Sequence, residues 1–159
     1  MKDIGVAMMT TRRPDGRLVS RAMAPQKRAP GAHLWFMTRG DTEKVEELEE
    51  EPQVNLAYYD QKSREWVSVS GLAHVTTDRS TIERLWSGDW EAWLPKDGDP
   101  RHGTPDDPRI RLIGVEVQSA VYFEADKPRP VLLYEVLKAK LTGRPPDVGE
   151  LGRVSPTRQ

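Results

Sequence analysis

Apolar positions fall in short runs separated by turn residues, and most of these runs have the period of strands. Gly5 to Thr11 (GVAMMTT) is an apolar run ending in two threonines, and Arg17 to Ala24 places Leu18, Ala22 and Ala24 an even number of residues apart. Pro14-Asp15-Gly16 lies between them at turn positions, so the pair reads as a β-hairpin. After a loop from Pro25 to Ala32, His33 to Thr38 (HLWFMT) is almost continuously apolar. Such a strand has both faces covered, or one face waiting for a partner. Val54 to Asp60 and Glu65 to Thr76 are two further strands; in the second, Val67 and Val69 share one face while Trp66, Ser68 and Ser70 share the other. Gly71 marks a bulge or a close backbone approach. Ile110 to Ala125 is a long strand with a bend near Gln118-Ser119.

Three segments have helical character instead. Asp41 to Glu51 opens on the N-cap residues Asp41 and Thr42, carries Val45 and Leu48 on one face with six Glu elsewhere, and stops at Pro52. A second helix begins at Asp78 or Ser80 and bears Ile82, Leu85 and Trp86 on one side. Val131 to Leu141 is a third, with Leu132, Leu133, Val136 and Leu137 on one face. Leu94 to Pro108, with four prolines and two glycines, is an irregular loop. The order β-β-β-α-β-β-α-β-α predicts a mainly β, α+β fold in which six antiparallel strands form a barrel, since a doubly wound parallel sheet would alternate strands with helices. The domain spans residues 1–141, and the segment 142–159, poor in apolar residues, is expected to be mobile or to lie on a partner.

Composition narrows the function classes. The chain has 159 residues, enough for one domain, and 24 Lys+Arg against 25 Asp+Glu give a net charge of −1, which argues against nucleic-acid binding. The absence of cysteine removes disulfides, thiolate catalysis, iron–sulfur clusters and Cys-based zinc sites. Met1 to Thr11 lacks the pattern of a signal peptide, and no apolar run approaches the roughly 20 residues of a membrane span, so a cytoplasmic protein is expected. His33, His74 and His102 are scattered without metal-ligand spacing, and no hydrolytic elbow, P-loop or dinucleotide fingerprint occurs. Catalysis by this chain would therefore use a borrowed cofactor.

Lys44 points to where one could bind. It stands in the first turn of the Asp41–Glu51 helix, at the positive end of the helix dipole, where a lysine is out of place. A Thr hydroxyl, unpaired backbone N–H groups and a Lys at a helix start suit a phosphate; the plainer alternative is that Lys44 pairs with Glu47 at i+3. Arg21, in a strand whose small neighbours Ser20, Ala22 and Ala24 let a flat ligand approach the backbone, is a second basic candidate.

At these residues the chain resembles the pyridoxamine 5'-phosphate oxidase-like superfamily of FMN-binding split barrels, and within it the general stress protein branch. The resemblance is carried by Ala7 to Thr11 with Asp15-Gly16, Ser20 to Met23, Leu34 to Thr38 through Thr42-Glu43-Lys44 to Glu51-Pro52, and Val67 to Gly71. Leu85-Trp86 through Trp93-Leu94-Pro95 and Ala120 to Phe123 add to it. It implies a homodimer with FMN at the subunit interface. Arg21 and Lys44 would hold the phosphate with Thr42 donating beside them; the backbone of Arg21, Ala22, Met23 and Ala24, together with Met37 and Thr38, would line the ribityl chain and ring. Trp66 and Trp93 would be further ring contacts, Trp93 from the second subunit. Glu43 and Trp66 depart from the oxidases, which carry Arg and Gln there. No counterpart of the oxidases' C-terminal Arg/His substrate segment occurs, so oxidation of pyridoxamine phosphate itself is not expected. The implied activity is FMN-dependent hydride or electron transfer, including flavin reduction by NAD(P)H. A flavin sensor or buffer without turnover, or the same fold binding a deazaflavin or haem, stands as the alternative.

Overall fold

The expected hairpin opens the structure: β1 (Ala7–Arg12) and β2 (Leu18–Met23) pair antiparallel from Ala7↔Met23 to Arg12↔Leu18. Gly16, at φ 84°, takes the left-handed turn position that a Cβ disfavours, and Asp15 Oδ1 accepts from the Arg17 N–H at 3.0 Å. The computed structural model describes residues 5–125, 131, 138 and 149–155. The expected helix over 131–141 lies outside the described residues apart from Val131 and Lys138, both helical. None of the helices among the described residues is long and apolar enough to cross a membrane.

β3 (Leu34–Arg39), β4 (Gln53–Tyr59), β5 (Trp66–Thr76) and β6 (Ile110–Glu124) complete a sheet of order β2-β1-β4-β5-β6-β3, antiparallel throughout. β6 organises it. One side pairs with β5 along most of its length, while the other pairs first with β3 (Ile110↔Arg39 to Val115↔Leu34) and then with β7 (Glu150–Val154). The chain thus has the split-barrel arrangement expected, with the sheet left unclosed between β2 and β3. A single bridge, Pro25↔Phe36, and a bond from the Gln26 N–H to the Trp35 carbonyl at 2.8 Å draw those two edges together. Strand β7 falls in the segment read as a tail; Leu151 and Val154 are exposed, so backbone pairing rather than an apolar face defines it.

Two cores lie on opposite faces of β3 and β6. Phe36, Ile113 and Val115 point inward with Ala7, Met9, Leu56 and Val69. Trp35, Ile110 and Leu112 point outward, covered by Ile82 and Leu85 of α2 (Arg79–Leu85) and by Trp90 and Leu94 of the 3-10 helix Gly88–Trp93. Both faces of β3 are therefore buried, which explains its unbroken apolar run. The loop before β6 is held by a buried Asp107, whose carboxylate accepts from the Gly103 and Arg109 N–H groups, each at 2.9 Å, and from the Arg109 guanidinium at 2.7 Å.

The bulge expected near Gly71 and the bend expected near Gln118 are one feature. Ser70 opposes Ser119 and Gly71 opposes Val117, leaving Gln118 as the extra residue. A Cβ on Gly71 would sit 2.5 Å from the Glu116 carbonyl oxygen and 2.8 Å from Val115 Cγ1. Gly71→Ala should therefore destabilise the protein by about 1–3 kcal/mol. The effect should appear as a lower urea midpoint at an unchanged slope.

Candidate functional site

The helix α1 (Glu43–Glu50) starts at Thr42, which holds the extended backbone of an N-cap residue but does not cap with its side chain. Its hydroxyl donates instead to the Arg39 carbonyl at 2.8 Å and lies 3.3 Å from Thr38 Oγ1. The N–H groups of the first turn thus lack the usual side-chain acceptor. Lys44 Nζ donates to Thr38 Oγ1 at 2.9 Å, so the last residues of β3 and the first turn of α1 form one polar cluster. Burial, and then the nearby Arg21 guanidinium, push Lys44 below the usual lysine range.

The expected Lys44–Glu47 pair does not form. Glu47 is buried beneath α1 on the side of Val45 and Leu48, and its carboxylate accepts two bonds from Arg21: Nη1 to Oε2 at 2.8 Å and Nη2 to Oε1 at 2.9 Å. Thr11 donates to Oε2 at 2.6 Å and itself accepts from Arg21 Nη1 at 2.8 Å. The Arg21 bonds, and then the Thr11 hydroxyl, hold Glu47 below the ordinary carboxylate range, against burial that would raise it. Arg13 and Glu43 extend the pairing outward at 3.2 Å.

Beside the Lys44 cluster opens a cavity of about 450 Å³, within the roughly 300–1,000 Å³ of small-molecule sites. Its walls are the exit of β2 (Met23 to Gln26), the end of β3 with Thr42 and Lys44, and the 3-10 helix with its preceding Ser87. Trp90 Nε1 donates to Gln26 Oε1 at 3.0 Å and its ring meets Trp86 edge-on at 5.4 Å, so that wall is pinned to the β2–β3 segment. Trp93, 70% exposed, stands at the rim.

A sequence model of the family described as "Pyridoxamine 5'-phosphate oxidase like" matches residues 1–147. The chain belongs to that family. It is 32% identical over 152 residues to Protein bli-3 of Neurospora crassa, covering 94% of this chain and 73% of the relative. Among solved structures, a candidate general stress protein 26 from Jannaschia sp. CCS1 superposes with a TM-score of 0.67 at 27% identity, covering 97% of this chain and 92% of that one. The general stress FMN/FAD binding protein of Xanthomonas citri superposes at 0.62 and 23% identity, covering 77% and 82%.

In this pyridoxamine 5'-phosphate oxidase-like chain, Met23, Ala24, Met37, Thr38, Thr42, Lys44 and Trp93 converge on the one cavity. Arg21 and Ala22, earlier on β2, are not among its lining residues, and the Arg21 guanidinium is engaged by Glu47. Trp66 lies elsewhere, on β5 in an apolar groove with Met8 of β1, Tyr59 of β4 and Val6 just before β1. Gln26, Arg39, Asp89 and Trp90 line the cavity without having been singled out; the nearest sequence signal was the cluster of tryptophans between Trp86 and Trp93.

Because the folded Glu47 is more acidic than an unfolded glutamate, its stabilisation is present above the ordinary value of about 4.3 and is lost as pH falls through the lower folded value. Glu47→Gln should cost about 1.5–3 kcal/mol at neutral pH, the scale of hydrogen bonds to a charged group. It should also flatten the fall in stability below that pH, as read by thermal unfolding across an acid series.

Proposed function

We propose that this protein is a flavin-binding oxidoreductase that holds FMN in the cavity bounded by β2, β3, α1 and the 3-10 helix. The observation that carries the reading is the convergence of Lys44, Thr38 and the first turn of α1 at one side of a cavity whose other walls include Met23, Met37, Trp90 and Trp93. This donor set fits a ligand with a flat apolar ring and an anionic end: ammonium and backbone N–H groups suit a phosphate, and thioether and indole surfaces suit a flavin ring. A flavin bound there would supply hydride or electron transfer, with NAD(P)H as the proposed reductant. The chain's own part is to bind the phosphate through Lys44 and the N–H groups, to flank the ring with Met23, Ala24 and Met37, and to keep water from one face with the fixed Trp90. The FMN/FAD-binding name of the Xanthomonas citri protein supports the same reading.

The proposal includes a homodimer. The groove of Val6, Met8, Tyr59 and Trp66 exposes apolar side chains across three strands, and Val6 and Tyr59 are at least half exposed. With the cavity at the subunit boundary, Trp66 and Trp93 would meet the flavin across it. The proposal puts the protein in the cytoplasm.

Purified protein should show a flavin absorbance band, or gain one on adding FMN, and NAD(P)H should bleach it; a band that NAD(P)H leaves intact would favour binding without turnover. A colourless protein without affinity for FMN contradicts the proposal. Lys44→Met should weaken FMN binding by about 1 kcal/mol. It should also raise the melting temperature of the flavin-free protein, because the folded state disfavours the charged lysine at neutral pH. Sedimentation should give a dimer at micromolar concentration.

A further inference from the structure

We propose that Glu47 sets how strongly this protein distinguishes a phosphorylated flavin from an unphosphorylated one, by holding Arg21 in a neutral pair. The inference rests on the flavin reading of the cavity, and deepens it by naming a residue that governs ligand charge.

The cations lining the cavity and behind its wall are largely matched by carboxylates. Arg21 is bound bidentate by Glu47 and lies 3.8 Å from Glu43, and Arg13 lies 3.2 Å from Glu43 and 3.8 Å from Glu47. Arg39, on the cavity wall, is paired with Asp41 at 2.5 Å, and Asp89 adds a negative charge to the wall. Lys44 is the lining cation that, among the described residues, has no carboxylate in an ion pair; its Nζ meets the Thr38 hydroxyl. A phosphate monoester carries between one and a half and two negative charges at neutral pH. One lysine therefore leaves it incompletely matched. Arg21 could add its charge only by leaving Glu47, which is buried and would keep the Thr11 hydroxyl and, 3.8 Å from Oε1, Arg13 Nε. A buried carboxylate stripped of its two-point guanidinium partner is costly, so the pair resists opening. A phosphate at Lys44 then feels Arg21 and Glu47, which stand behind the lining, as a neutral unit, and the ring supplies more of the affinity than its phosphate does. Discrimination of this kind is a difference between two affinities, set here by a repulsive charge beside the attractive one.

The test is titration of riboflavin and of FMN, followed by flavin fluorescence, into wild type, Glu47→Gln, Arg21→Gln and the double variant. Wild type should bind FMN no more than about tenfold tighter than riboflavin, a margin the size of one modest ionic contact. Glu47→Gln should tighten FMN about tenfold through the uncovered Arg21 charge, leave riboflavin within about twofold, and steepen the salt dependence of FMN binding. Arg21→Gln should weaken FMN, because it bares Glu47. The double variant replaces an ion pair by two neutral amides and should return FMN affinity to within about threefold of wild type.

An unchanged or lower FMN-to-riboflavin ratio in Glu47→Gln overturns the inference. A double variant as weak as Arg21→Gln does so too, because Arg21 would then be a direct phosphate ligand. Should Glu47→Gln fail to fold, the double variant still decides between these outcomes. Failure of wild type to bind either flavin overturns the flavin reading, and this inference with it.

Discussion

The placement of α1 depends on a carboxylate taken out of water. Glu47 is buried between the helix and the first hairpin, and both of its oxygens accept from Arg21 while Thr11 donates to one of them. Removing a carboxylate from water is costly unless its hydrogen bonds are replaced, and here three of them are. The geometry is demanding: Thr11 on β1 and Arg21 on β2 must be near neighbours across the hairpin, and the paired register puts Thr11 opposite Val19, two residues from Arg21. Helix, hairpin and register are therefore mutually fixed. With Val45 and Leu48 packed on the same side, α1 has one orientation over the sheet, and its first turn comes to rest beside the end of β3.

That placement makes the cavity. β3 ends in Thr38, α1 begins at Thr42, and Lys44 reaches back to bond Thr38, giving a polar corner. The opposite wall comes from a distant part of the chain: Trp90 docks on the outer face of β3 and β6 and bonds Gln26. The sheet stays open between β2 and β3, and Met23 to Gln26 with the β3 end flank the cavity at that opening. Chemistry and packing are in tension at Lys44, since folding pushes it away from the charged state that makes it useful to an anion. Binding sites commonly carry such a cost in stability.

Much of this was legible in the residue pattern. The apolar run of β3 implied two covered faces, the hairpin turn was written in Pro14-Asp15-Gly16, and Gly71 with Gln118 marked both sides of the bulge. Lys44 stood out because local physics gave it no reason to be at a helix start. Its expected partner was wrong for an instructive reason. Helical spacing sees i+3 neighbours, whereas Glu47 is claimed by a guanidinium 26 residues earlier in the chain. A Glu among six in one helix looks solvated, and nothing in periodicity marks the one that is buried. The same blindness hid β7, an edge strand with exposed apolar residues, and Asp107, which orders a loop that composition describes only as irregular. The Gln26–Trp90 bond joins residues 64 apart and was likewise beyond local reading.

The proposed flavin site is the one cavity cornered by Lys44. Hydrogen–deuterium exchange with and without saturating FMN locates that site directly. Protection on binding is expected at residues 23–26, 37–44 and 87–93, with the 13–17 turn between β1 and β2 unchanged. Protection confined to other parts of the sheet, or none at saturating FMN, would contradict it.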